Sequence, residues 1–210
     1  MAISTAPSGI TRADRITLFV FAGIAGAIGL ATLIAGALRI RLYAVAATDG
    51  STPLSLLTDT SVPGVPTDGD PSIRFGVFPT ADLLVTGLSD GTRALLAVGE
   101  GIGVLVAVVV SATIFWLFLS LARAQPFAPS LHRLTLAAGA TLALGSLLGQ
   151  GIAGLGRMNA AAEVNPVADD LFSVGFTFDP APIVIGFAIM ALAFVFRAGT
   201  RLQRETDGLI

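Results

Sequence analysis

The sequence predicts an all-α membrane protein, a bundle of four transmembrane helices with a small extracytoplasmic β-sheet drawn from its two longer loops. Three observations carry this. The 210 residues are 54% hydrophobic and 12% charged, with a mean hydropathy of +0.84. A soluble domain is about 25% charged and could not enclose so much apolar surface. Four stretches suffice to cross a bilayer, which takes about 20 apolar residues at about 1.5 Å each. The arginines fall unevenly around those stretches, which gives the bundle an orientation.

The spans are placed at about 16–38, 94–122, 134–155 and 180–196. The first has no charge, and the second carries only Glu100. The third is uncharged, with Gln150 as its amide side chain, and the fourth is the shortest. Asp179 suits the cap of the fourth helix and Pro180 its first turn. Ala44-Val45-Ala46 looks like a signal-peptide cleavage site, but the apolar run before it exceeds the about 7–15 residues of a signal. Arg39 and Arg41 also intervene, so the first span reads as retained.

With a cytoplasmic N-terminus, the inner segments hold Arg12, Arg15, Arg123, Arg133, Arg197, Arg201 and Arg204. The outer loops, 39–93 and 156–179, then hold Arg39, Arg41, Arg74, Arg93 and Arg157. Excess arginine marks the cytoplasmic side, so both termini are expected there. The short inner loop 123–133 has no acid, whereas the second outer loop has Glu163, Asp169, Asp170 and Asp179. All twelve basic residues are arginine, there is no cysteine, and the composition suggests a GC-rich bacterial genome and hence a bacterial inner (cytoplasmic) membrane. A net charge of −2 without a basic face argues against direct nucleic-acid binding.

Three segments of the outer loops are strand-like: Arg39 to Val45, Ser72 to Phe78, and Phe172 to Phe178. The stretch Asp49 to Pro71, with four prolines and four aspartates, reads as irregular loop.

Glu100 stands about 9 Å inside the second span. A carboxylate there must be protonated, paired or wet. Gln150 on the third span lies at a similar depth, and Arg157 at that span's outer end can reach toward either. These three are read as an intramembrane polar cluster, serving as a cation or ligand site or as a bond that fixes packing. Small residues recur every four positions: Gly23, Ala27, Ala31 and Ala35; Gly99, Gly103, Ala107 and Ser111; Gly145, Gly149 and Ala153. Such stripes let helices approach closely, first within the bundle and alternatively in a homodimer. His132 is the single histidine, which argues against a zinc site. It is expected with Arg133 in the solvated first turn of a helix capped by Ser130. No nucleophile–base pair, carboxylate dyad or phosphate loop is found, so no enzyme, cofactor or metal site is expected.

The loop Gln125-Pro126-Phe127 with Ser130 and Arg133-Leu134 is similar to the "G-x-PF … N-x-x-RL" connection of a group of bacterial four-span proteins. The ending Ala193-Phe194-Val195-Phe196-Arg197-Ala198-Gly199-Thr200-Arg201-Leu202 resembles that group's "lA-x-vFr-x-G-x-x-L" terminus. The group is catalogued as a domain of unknown function (number twenty-nine seventy-five). Its members are often encoded beside a small helix-turn-helix regulator, which implies a cytosolic regulatory partner. Ala124 departs from the pattern's glycine, and Ser130-Leu131 from its asparagine region.

The expected function is therefore a membrane-embedded regulatory protein whose cytoplasmic face engages a partner, with Pro126, Phe127, Arg133, Arg197, Arg201 and Leu202 as that face. A proton-coupled carrier of a small solute or ion using Glu100 is the first alternative. An envelope sensor using the acidic outer loops is the second.

Overall fold

A computed structural model describes residues 11–45, 50–61, 76–123 and 129–207. Its elements run in the order α1 (Arg12–Ala44), β1 (Ser51–Ser61), β2 (Val77–Thr86), α2 (Asp90–Ala122), α3 (Pro129–Ala140), a π-helical turn (Thr141–Gly145), α4 (Ser146–Val164), a 3-10 turn (Asn165–Val167) and α5 (Ala181–Asp207). Four helical stretches are long and apolar enough to cross a membrane: Arg12–Ala44, Asp90–Ala122, His132–Val167 and Ala181–Gly199. The expected four spans are thus present, each with its ends extended or trimmed. Large apolar side chains stand outward on them, among them Leu30 (59% exposed), Leu105 (60%) and Phe187 (60%). Water would strip such faces into aggregates, whereas hydrocarbon solvates them.

The chain divides into two compact units, one of residues 1–35, 103–147 and 180–210, the other of 36–102 and 148–179. The first is all helix. Thr11 opens α1 with a capping box in which its hydroxyl accepts from the Asp14 amide (3.2 Å) and its own amide donates to the Asp14 carboxylate (3.0 Å). Gly26 and Gly29 of α1 face Phe115 and Ser111 of α2, and the Phe21 and Phe118 rings stack with centroids 5.5 Å apart. A Cβ on Gly29 would come within 2.9 Å of Ser111. The expected stripe of Gly23, Ala27, Ala31 and Ala35 is instead on the exposed side of α1. The buried positions are Ala22, Ala25, Gly29 and Gly36, a spacing of three, four and seven that the four-residue template does not fit.

A close backbone approach joins α3 and the π turn to α5. A Cβ on Gly139 would meet the Gly186 carbonyl and one on Gly186 the Ala143 amide, each at 2.7 Å. His132 is half-buried here, not solvated: its Nδ1 lies 2.7 Å from the Ala193 carbonyl. Ser130 falls inside the first turn of α3 and not before it.

In the second unit, β1 and β2 pair antiparallel as a two-stranded sheet, with Ser51 opposite Thr86 and Ser61 opposite Val77. This differs from the expected strands in three ways. Arg39 to Ala44 continues α1, because Gly36, Ile40 and Tyr43 put the less exposed residues at helical spacing and propagating a formed helix costs little. Ser51–Ser61 is a strand within the stretch read as irregular. Its period-two pattern, with Thr52, Leu54, Leu56 and Thr58 buried, overrides Pro53 and Asp59. Pro53 is tolerated because a two-stranded sheet has only edge strands. From the second loop only Phe172 bridges, to Thr58, and no strand continues toward Phe178. Residues 72–75 lie outside the described residues, while Val77 and Phe78 open β2.

The hairpin's buried face packs Leu54 and Leu56 against Leu88, Leu96, Ala160, Ala161 and Phe172. Gly87, at φ +79°, makes the tight turn from β2 into α2, a backbone setting that favours glycine.

Candidate functional site

The second unit carries an open cavity of about 640 Å³, within the about 300–1,000 Å³ range of small-molecule sites. Its charged lining comes from four places: Arg39 near the end of α1, Glu100 one-third along α2, Asp82 on β2 and Arg157 on α4. Tyr43 and Ser55 add hydroxyls, and Leu54, Leu83, Leu84 and Leu96 supply an apolar wall.

Each charged residue is positioned by the local fold. The extension of α1 beyond its apolar run carries Arg39 and Tyr43, one helical turn apart, into this unit. Asp82 sits opposite Ser55 in the hairpin register, so both belong to one rung. Glu100 and Arg157 are held by the α2–α4 crossing, where a Cβ on Gly99 would strike the Ala153 backbone at 2.6 Å. Gly156 likewise lies against Leu96. The small residues are therefore what brings the two helices close enough to place both side chains on one cavity wall.

Arg39 Nη1 and Glu100 Oε1 are 3.5 Å apart. The Arg39 side chain is 68% exposed, so this pair is screened and contributes about 0–1 kcal/mol to stability. Arg157 and Asp82 line the same cavity, and neither forms an ion pair with a described residue. A bound molecule can therefore engage one cation and one anion that have no ion-pair partner among the described residues.

Of the expected polar cluster, the structure places Glu100 and Arg157 on this lining and Gln150 off it. The Gln150 amide instead bridges the backbone of Asp179, accepting from its N–H (2.8 Å) and donating to its carbonyl (3.0 Å). Gln150 thus ties α4 to the segment before α5. The expected partner face is only partly in view. Pro126 and Phe127 lie outside the described residues. Arg133 and Arg197 are exposed at the start of α3 and within α5, and Arg201 and Leu202 continue α5.

Two polar constructions beside the cavity were not read from the sequence. At the start of α2, Ser89 donates its N–H (2.9 Å) and hydroxyl (2.7 Å) to the Glu163 carboxylate, and the Thr92 hydroxyl donates to the same group (2.6 Å). A capping box takes its acid from the third helical position, which here is Thr92. Glu163 supplies that carboxylate from α4. Asn165 holds the following loop, donating to the Phe172 carbonyl (2.8 Å) and accepting from its N–H (3.0 Å). Ser173 N–H then donates to the Leu57 carbonyl (3.0 Å), docking that loop on β1. The signal for the first was Ser89-Asp90-Gly91-Thr92, a cap sequence without its acid.

These features define a multi-pass membrane protein with four apolar helices and a small two-stranded hairpin beside a charged cavity. No family model, curated protein or solved structure matches the chain.

Proposed function

We propose that this is a non-enzymatic sensor of a bacterial inner membrane, with both termini cytoplasmic, that binds a small polar ligand in the cavity of its hairpin-containing unit. The observation that carries this reading is the cavity of about 640 Å³ with four charged side chains, two of them without an ion-pair partner among the described residues. Charges are costly to hold near hydrocarbon, so a chain that gathers four of them around an open space uses them. The arginine bias supports an extracytoplasmic hairpin and cavity, where an envelope ligand would meet it.

Binding fits better than transport. After Glu100 the next ionisable residue in the chain is Arg123, past the end of α2, so α2 offers no ionisable group with which to continue a relay from Glu100. The loop-and-tail face expected to engage a cytosolic regulator remains a natural output for such a sensor. Pro126 and Phe127 of that face lie outside the described residues, so the cavity carries the proposal.

The test is native mass spectrometry of protein extracted from its own membranes in mild detergent. The wild type is expected to retain a small molecule of defined mass, and Ser55→Trp, which fills the cavity from the exposed hairpin, to lose it. A wild type that carries nothing, or a retained mass that Ser55→Trp leaves unchanged, contradicts the reading.

A further inference from the structure

The ligand's chemical class follows from the two charges without an ion-pair partner among the described residues, if the cavity is a ligand site as proposed above. We infer that the cavity takes a zwitterion, its anionic oxygens on Arg157 and its ammonium on Asp82. Arg157 is a planar, permanently charged fork suited to a phosphate or carboxylate. Asp82 is exposed on β2 and presents a carboxylate to the same space. The Arg39–Glu100 pair already neutralises the other two charges, at 3.5 Å. Among the described residues the lining is therefore balanced, with one charge of each sign left outside that pair. A simple anion would leave Asp82 unmatched and repelled, and a simple cation would do the same to Arg157. A ligand with both charges satisfies both.

The remaining lining narrows the shape. Leu54, Leu83, Leu84 and Leu96 form an apolar flank, and Tyr43 and Ser55 offer hydroxyls for an ester or alcohol oxygen. Arg39 and Arg157 follow on the apolar runs of their helices, where an arginine side chain can reach lipid head groups. A phosphoethanolamine group has this chemistry, whether presented by a bilayer lipid or as a free envelope metabolite.

Titration calorimetry on the purified full chain separates the classes with three soluble probes: glycerophosphoethanolamine, glycerophosphate and ethanolamine. The zwitterion is expected to bind at least about tenfold tighter than either half. Arg157→Gln should remove that advantage and leave ethanolamine unaffected. Asp82→Asn should remove it and leave glycerophosphate unaffected or improved. Both residues are exposed, so each variant should stay folded, and Arg41→Gln, outside the lining, serves as the unaffected control. A lipid source predicts that native mass spectra retain phosphatidylethanolamine over phosphatidylglycerol from mixed micelles. A free metabolite predicts calorimetric binding without that lipid preference. If glycerophosphate binds as tightly as the zwitterion and Asp82→Asn is silent, the zwitterion assignment is overturned while the cavity remains a ligand site. If no probe binds and no native ligand is retained, both readings fall.

Discussion

The two units of this chain are held together by different chemistry. In the helical unit the decisive contacts are close approaches of backbone made possible by missing side chains: Gly139 against Gly186, Gly29 against Ser111, and Gly145 against Val106. In the unit with the hairpin, glycine contacts are joined by specific polar bonds, those of Glu163 to Ser89 and Thr92, Asn165 to Phe172, and Gln150 to Asp179. The difference matches what the two kinds of backbone need. Where lipid tails are as apolar as the side chains, association has no hydrophobic drive and depends on close packing. Where backbone leaves the helix, its N–H and C=O groups need partners, and side chains provide them.

Substitutions can break the comparison. The largest effect is expected for Gly186→Leu, whose side chain would meet the Ala143 amide and Gly139 carbonyl. Neither backbone can yield, so a loss of about 3 kcal/mol or more is expected, read as loss of monodisperse protein in detergent. Asn165→Leu comes next, at about 2 kcal/mol, because it orphans both backbone groups of Phe172. Hydrogen exchange should rise at residues 168–173 and remain unchanged in α3 and α5. Glu163→Ala should cost about 1 kcal/mol, since its carboxylate caps α2 but is largely solvated. Arg39→Gln is expected to change stability by less than about 0.5 kcal/mol, because the pair it breaks is exposed. A reversed order, with Arg39→Gln the most damaging, would mean that charge pairs organise the second unit.

The spans were legible because a run of 17 or more apolar residues without charge has few other readings. Their ends were not, since helices continue through polar residues such as Arg39 and Asp90 once formed. The hairpin was hidden by composition: Thr52, Pro53, Ser55 and Asp59 are turn-forming types, yet Thr52, Leu54, Leu56 and Thr58 alternate as a strand requires. Glu100 and Arg157 could be singled out as charges at the ends of apolar runs. Asp82 could not, because its place on the cavity depends on a strand register fixed by Leu54 and Leu56 finding the core. The acid that completes the cap of α2 was also beyond sequence reading, because Ser89 and Glu163 are 74 residues apart and no periodicity links them.

The central claim is that the helical unit turns its apolar faces to lipid while the cavity of the other unit opens to water. The chain has no cysteine, so single cysteines report on this without a background. The most direct measurement is the labelling of Ser55→Cys, Leu30→Cys and Phe187→Cys in intact membranes with a water-soluble maleimide. The account predicts rapid labelling at position 55 and none at 30 or 187 until detergent is added. Labelling at 30 or 187 as fast as at 55 would contradict it.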